Sequence, residues 1–213
     1  VQAVTNCRWV LLYVKRWLTA PLQRPDGTLQ PRDRGTPQGS AVSPVLANLV
    51  LHYAFDEFLT REFPSVSFER YADDAVVHCA TERQAREVQS ALQERLTSLG
   101  LELHPGKTRI VYCKDNRRRG SYEHVSFTFL GYTFQPREAK TRDGKRFLRF
   151  MPAVSAEALA TMSGSLRRWR LHRWTQRTLD EIADWLNPVV RGWMNYYGRF
   201  YRSRLYPLLQ RIN

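Results

Sequence analysis

The sequence lacks the features that would place it in a membrane, a secretory route or a metal-stapled scaffold. No stretch approaches the roughly 18 consecutive apolar residues that a membrane span requires. The first residues do not follow the basic, apolar, small-residue order of a secretory signal. Neither a span nor a membrane partner is expected, and the expected compartment is the cytoplasm. Cysteine is scarce: Cys7, Cys79 and Cys113 are odd in number and show no CxxC spacing. The five histidines never join them at zinc-ligand intervals, so neither a disulfide framework nor a zinc site is expected. Acidic residues thin out toward the end. Residues 1–113 hold 13 Lys/Arg against 12 Asp/Glu, whereas residues 114–213 hold 20 against 8.

What is present is a chain of 213 residues with 43% hydrophobic and 12% aromatic content, enough to bury the core of one large or two small domains. The net charge of +13 lies almost wholly in the second half, and such a field attracts phosphate polymers. Solubility alone does not call for arginines interleaved with aromatic rings. Arg167, Arg168, Trp169, Arg170, Arg173 and Trp174 combine phosphate-pairing charge with flat stacking surfaces, a composition that suits nucleic acid better than lipid.

Apolar residues at Val4, Trp9, Leu12, Val14 and Leu18 predict a helix over 3–18, followed by a turn at Pro25-Asp26-Gly27. The chain opens without an initiator Met and runs straight into this element, so an upstream portion is expected. Ser43-Pro44 marks the start of a helix over 44–60. Residues 66–71 and 75–79 are β-prone runs about the acidic corner Ala72-Asp73-Asp74 and predict a hairpin. Thr81 and Gln84 make a capping signature ahead of a helix closed by Gly100. The polar stretch 114–126, with Arg117-Arg118-Arg119-Gly120, reads as a linker. Residues 127–134 and 147–151 read as strands, with a turn at Asp143-Gly144. Helices are expected over 156–172, over 179–187 behind a Thr178/Glu181 capping box, and from Pro188 to about 202. The order predicts an α+β domain followed by an all-α appendage.

Two adjacent aspartates at a hairpin tip are poor choices for stability, because like charges repel and raise each other's pKa. They call for a cation. Mg²⁺ is a hard ion that prefers oxygen ligands and is commonly held by one or two carboxylates plus substrate phosphates. Phosphoryl transfer is the chemistry that fits such a pair.

Tyr71-Ala72-Asp73-Asp74 resembles the YxDD signature of reverse transcriptases. The block from Gly35 to Asn48, centred on Pro37-Gln38-Gly39, is similar to the PQG block of group II intron reverse transcriptases. Leu99-Gly100-Leu101-Glu102-Leu103-His104-Pro105-Gly106-Lys107-Thr108 resembles the next block, and Phe129-Leu130-Gly131-Tyr132 resembles the primer-grip strand. The stretch Leu186-Asn187-Pro188-Val189-Val190-Arg191-Gly192-Trp193-Met194-Asn195-Tyr196-Tyr197 resembles the thumb, or X, region of intron maturases. Its aromatic residues divide between RNA contact and bundle core, with Trp185 and Trp193 expected in the core.

The resemblance implies a partial reverse-transcriptase palm over 1–135, a connecting hairpin over 136–151 and a helical thumb over 152–213. Asp73 and Asp74 would be the catalytic, Mg²⁺-binding pair of a two-metal site. Gln38, Gly39, Tyr71, Ala72 and Lys107 would lie at the deoxynucleoside triphosphate and template. Leu130, Gly131, Tyr132, Arg167, Arg168, Arg170, Arg173 and Arg191 would meet primer and RNA. Implied partners are intron RNA, an RNA template-primer duplex and DNA. The sequence departs from the family in one respect. The family's further metal-binding Asp, on a strand in a pattern like D-[IV]-x-x-[FY]-F, has no counterpart here, and neither do the fingers. The metal site is therefore expected to be incomplete and the isolated chain inactive in DNA synthesis. The alternative is a non-catalytic, maturase-type RNA-binding module.

Overall fold

The computed structural model describes residues 1–31, 35, 39–118 and 120–212; Asp33, Pro37, Gln38 and Arg119 lie outside them. The chain divides into two compact units, Val1–His104 and Pro105–Asn213. Both mix helices with small antiparallel sheets, an α+β composition.

The first unit opens with helix α1 (Arg8–Thr19), later than the periodicity predicts. A two-residue ladder, β1 (Leu22–Gln23) with β2 (Leu29–Gln30), closes over the Pro25-Asp26-Gly27 turn. The helix predicted over 44–60 is α2 (Ser43–Leu51) and α3 (Glu57–Glu62), joined by a π-helical turn at His52–Asp56. Pro44 sits in the first turn, where its missing N–H costs nothing. The expected hairpin is present as β3 (Ser67–Tyr71) and β4 (Asp74–His78), paired from Ser67↔His78 to Tyr71↔Asp74. Helix α4 (Glu82–Ser98) starts where the Thr81 side chain accepts the Gln84 N–H at 3.2 Å.

The core of this unit is Phe55, Leu59, Val66, Val88 and Leu92, with Phe68 and Val77 packed against it from the hairpin. Strand alternation therefore puts the Phe68 side of the hairpin against the helices and turns the Glu69, Tyr71 and Asp74 side outward.

In the second unit, the run predicted as one strand over 127–134 is two. Strand β5 (Phe127–Phe129) turns at Leu130-Gly131 into β6 (Tyr132–Lys140), which pairs with β7 (Arg146–Val154). Both turn residues have positive φ, 49° and 76°, the pattern of a tight two-residue hairpin. Leucine is no turn signal, which is why an apolar run concealed the reversal.

Helix α5 (Ala156–Trp169) is capped by Ser155, whose Oγ accepts the Ala158 N–H. Pro188 does not open a new helix: it lies inside α6 (Leu179–Tyr197). The complete Thr178/Glu181 capping box nucleates the helix well before the proline, and Leu186 and Trp193 pack on either side of it, so one lost backbone bond does not end it. The chain finishes with a 3-10 turn (Arg202–Leu205) and α7 (Tyr206–Leu209). Val154, Met162, Leu205 and Leu208 form this unit's core.

Candidate active site and nucleic-acid face

The β3–β4 turn is only Ala72 and Asp73, so Tyr71 pairs directly with Asp74 and the two aspartates stand at the tip. Both are exposed, and among the described residues neither carboxylate has a side-chain hydrogen bond or ion pair. Ala72 adopts φ 54°, a conformation costing a non-glycine residue about 1–2 kcal/mol. Tyr71 is 65% exposed on the outward face beside Asp74.

The tip is held from behind. The Arg70 guanidinium donates to both oxygens of Asp56, at 2.7 and 2.6 Å, to Asn48 Oδ1 at 2.9 Å and to the Ala72 carbonyl at 2.8 Å. Hydrogen bonds from Arg70, reinforced by its charge and by His52, hold the Asp56 carboxyl below the usual carboxylate range. The Arg70 guanidinium is raised in turn, chiefly by its hydrogen bonds to Asp56. Because the folded-state pKa of Asp56 is depressed, its stabilising contribution is present above the ordinary value near 3.8 and is lost as pH falls through the folded value. Asp56→Asn is expected to cost about 1.5–3 kcal/mol near neutral pH. The same substitution should flatten the acid limb of the melting temperature plotted against pH, checked by thermal unfolding between pH 3 and 7.

Gly39 is exposed with φ 85°, and a side chain there would meet nothing within 4 Å. Gln38 falls outside the described residues. Lys107 belongs to the second unit, exposed in a turn and without a carboxylate partner among the described residues. Among those residues no three His, Cys, Asp or Glu side chains gather in a way that could hold a metal ion. Asp73 and Asp74 offer hard oxygen donors of the kind Mg²⁺ takes, so the pair fits such an ion.

In the second unit the Leu130-Gly131 turn is clasped by the end of α6. Tyr196 donates its hydroxyl to the Leu130 carbonyl at 2.9 Å, Tyr132 donates to the Tyr196 carbonyl, and Ser155 N–H donates to the Gly131 carbonyl at 2.9 Å. A Cβ on Gly131 would lie 2.7 Å from the Tyr197 hydroxyl. Gly131→Ala thus combines a clash with a strained φ and is expected to destabilise by about 1–2 kcal/mol, read as a melting temperature lower by several degrees.

Arg167, Arg168, Arg170, Arg173 and Arg191 are all exposed, and among the described residues none pairs with a carboxylate. Arg170 takes a left-handed φ of 48° at the end of α5, turning the chain into the 3-10 turn Leu171–Arg173. Trp169 points the other way and stacks on Trp193, centroids 5.6 Å apart and planes 4° from parallel. Trp185 meets Trp169 and Trp174 edge-on but stays 39% exposed, less buried than a core residue. The helix end therefore sorts its residues, with tryptophans packed together and arginines in solvent.

Sequence reading missed two sets of residues. Strand alternation was the available signal for Arg70, which it places on the Phe68 side and hence against the helices. No local signal marks Asn48 and Asp56 as the partners of Arg70, or Tyr196 as the partner of Leu130, because each bond spans 14 or more residues. No helix among the described residues is long and apolar enough to cross a membrane. The three cysteines are free, and burial raises the thiol pKa of Cys79 and Cys113.

Residues 2–134 match the family model described as reverse transcriptase (RNA-dependent DNA polymerase). Residues 159–213 match the group II intron maturase-specific domain. No curated protein matches the chain.

Proposed function

Because this chain belongs to the reverse transcriptase family, as a group II intron reverse transcriptase/maturase, we propose that it supplies the carboxylate hairpin and the primer- and RNA-gripping surfaces of an RNA-directed DNA polymerase. The observation that carries this reading is the exposed Asp73-Asp74 pair, without a side-chain partner among the described residues, at a strained hairpin tip inside the region matching the polymerase family. Adjacent carboxylates with no counterion are a standing electrostatic cost that a bound cation offsets.

Asp73 and Asp74 would hold Mg²⁺, which when bound supplies charge neutralisation for the attacking and leaving oxygens in nucleotidyl transfer. The carboxylates fix where that charge sits. Gln38, Gly39, Tyr71, Ala72 and Lys107 are assigned to the deoxynucleotide and template. The Leu130-Gly131-Tyr132 turn is assigned to the primer, and Arg167, Arg168, Arg170, Arg173 and Arg191 to RNA phosphates. In role, residues 1–135 act as palm, 136–151 as connecting hairpin and 152–213 as thumb.

The test is primer extension on an RNA template with Mg²⁺ and deoxynucleotides, using a form that also carries the family's further aspartate. Incorporation that Asp73→Ala removes supports the polymerase reading. The exposed arginines favour a second reading, a maturase-type RNA-binding module. That reading takes over if the longer form binds structured RNA tightly yet incorporates nothing.

A further inference from the structure

Four of the five guanidinium N–H groups of Arg70 are committed, and they join the hairpin turn to two positions of one helical run, Asn48 and Asp56. Two meet Asp56 side-on, one meets Asn48 and one meets the carbonyl of Ala72. The Arg70 side chain is 11% exposed, and its two bonds to Asp56 are partly shielded from competing water, whereas those to Asn48 and Ala72 lie at the surface.

The helix is built to make this possible. Asn48 and Asp56 are eight residues apart, which in an unbroken α-helix would set them about 80° apart around the axis. The π-helical turn at His52–Asp56 takes up one residue. The two then behave like residues seven apart, within about 20° of one line, and both face the same guanidinium.

We propose that Arg70 is a positioning residue for the carboxylate pair, its planar fork anchoring the left-handed Ala72 and so fixing Asp73 and Asp74 at the hairpin tip against the α2–π–α3 helix. This rests on the reading of those aspartates as cation ligands. Ala72 has no glycine-like freedom to hold φ 54° unaided, and the Arg70 hydrogen bond on its carbonyl is the one side-chain hydrogen bond to Ala72 among the described residues. A lysine could keep the ion pair with Asp56. It has no rigid fork with which to serve Asn48 and Ala72 at the same time.

The experiment compares the 213-residue chain with Arg70→Lys, Arg70→Gln and Asn48→Ala. Amide hydrogen exchange is measured at residues 71–74, with α4 as internal reference, and Mn²⁺ affinity is measured by paramagnetic titration with Asp73→Ala as control. Arg70→Lys is expected to keep the melting temperature within a few degrees while tip exchange rises at least 10-fold and Asp73-dependent Mn²⁺ affinity falls about 5-fold or more. Arg70→Gln should do the same with a larger loss of stability. Should the Arg70 variants fail to fold, Asn48→Ala leaves the ion pair in place and is expected to raise tip exchange 2- to 3-fold.

Unchanged tip exchange in Arg70→Lys, or in Asn48→Ala where that variant must stand in, overturns the proposal. If the unmodified chain binds no Mn²⁺ through Asp73, the cation-ligand reading falls, and the exchange arm still decides whether Arg70 holds the turn.

Discussion

Asp73→Ala is expected to lower RNA-templated DNA synthesis by at least about 10²–10³-fold, in a form of the protein that also carries the strand-borne aspartate implied by the family. A single well-placed electrostatic contact to a developing charge is worth that much in rate, and a carboxylate that places a divalent ion contributes to every turnover. RNA affinity should be unchanged, because the exposed arginines lie in the other unit. The 213-residue chain assayed alone is expected to stay at background. Among its described residues no third metal-binding side chain joins the pair, and two carboxylates leave a second ion without an anchor. Gel-resolved primer extension checks both statements. Robust Asp73-dependent synthesis by the short chain would show that the pair needs no further ligand.

The second large effect concerns RNA. Replacing Arg167, Arg168 and Arg170 together by alanine should flatten the plot of log affinity against log salt by about two units, since each neutralised phosphate adds roughly 0.7–0.9 to the slope. At 0.1 M salt this corresponds to about 100-fold weaker binding, converging with the unmodified chain near 1 M. The three side chains are exposed at the end of α5 and carry no carboxylate partner among the described residues, so their loss should leave the fold intact. Filter binding across a salt series decides the matter. An unchanged slope would move the RNA-binding face elsewhere in the chain.

The parts of this molecule that could be read from its letters are those where function or local geometry imposes a pattern on neighbours. The acidic corner between two β-prone runs announced the hairpin, and the Thr178/Glu181 signature announced the start of α6. What could not be read depends on partners distant in sequence. Leu130 adopts a left-handed turn because Tyr196 and Ser155 grip the hairpin from elsewhere, and nothing in Phe129-Leu130-Gly131-Tyr132 itself signals a reversal. Pro188 carries a strong local message, to begin a helix, that packing on both sides overrides. The π-helical turn is invisible to periodicity, since it shifts the phase of a helix by a single residue. For the same reason the partnership of Asn48, Asp56 and Arg70 emerges only in three dimensions.

The β6–β7 ladder bears on how the gene can be divided. It runs from Tyr132↔Val154 to Lys140↔Arg146, across the interval separating the polymerase and maturase matches. A maturase fragment begun at residue 159 would discard Val154 from its own core and Ser155 from the start of α5, and it would strand the tyrosines of α6 without their turn. Homology draws its border inside a continuous sheet. Shuffling, splitting or fusing at that border would sever a folding unit, whereas the seam between His104 and Pro105 respects one. Modules of descent and modules of folding are offset here, the homology border falling between residues 134 and 159 and the folding seam between His104 and Pro105, which restricts the breakpoints open to recombination or to an engineer.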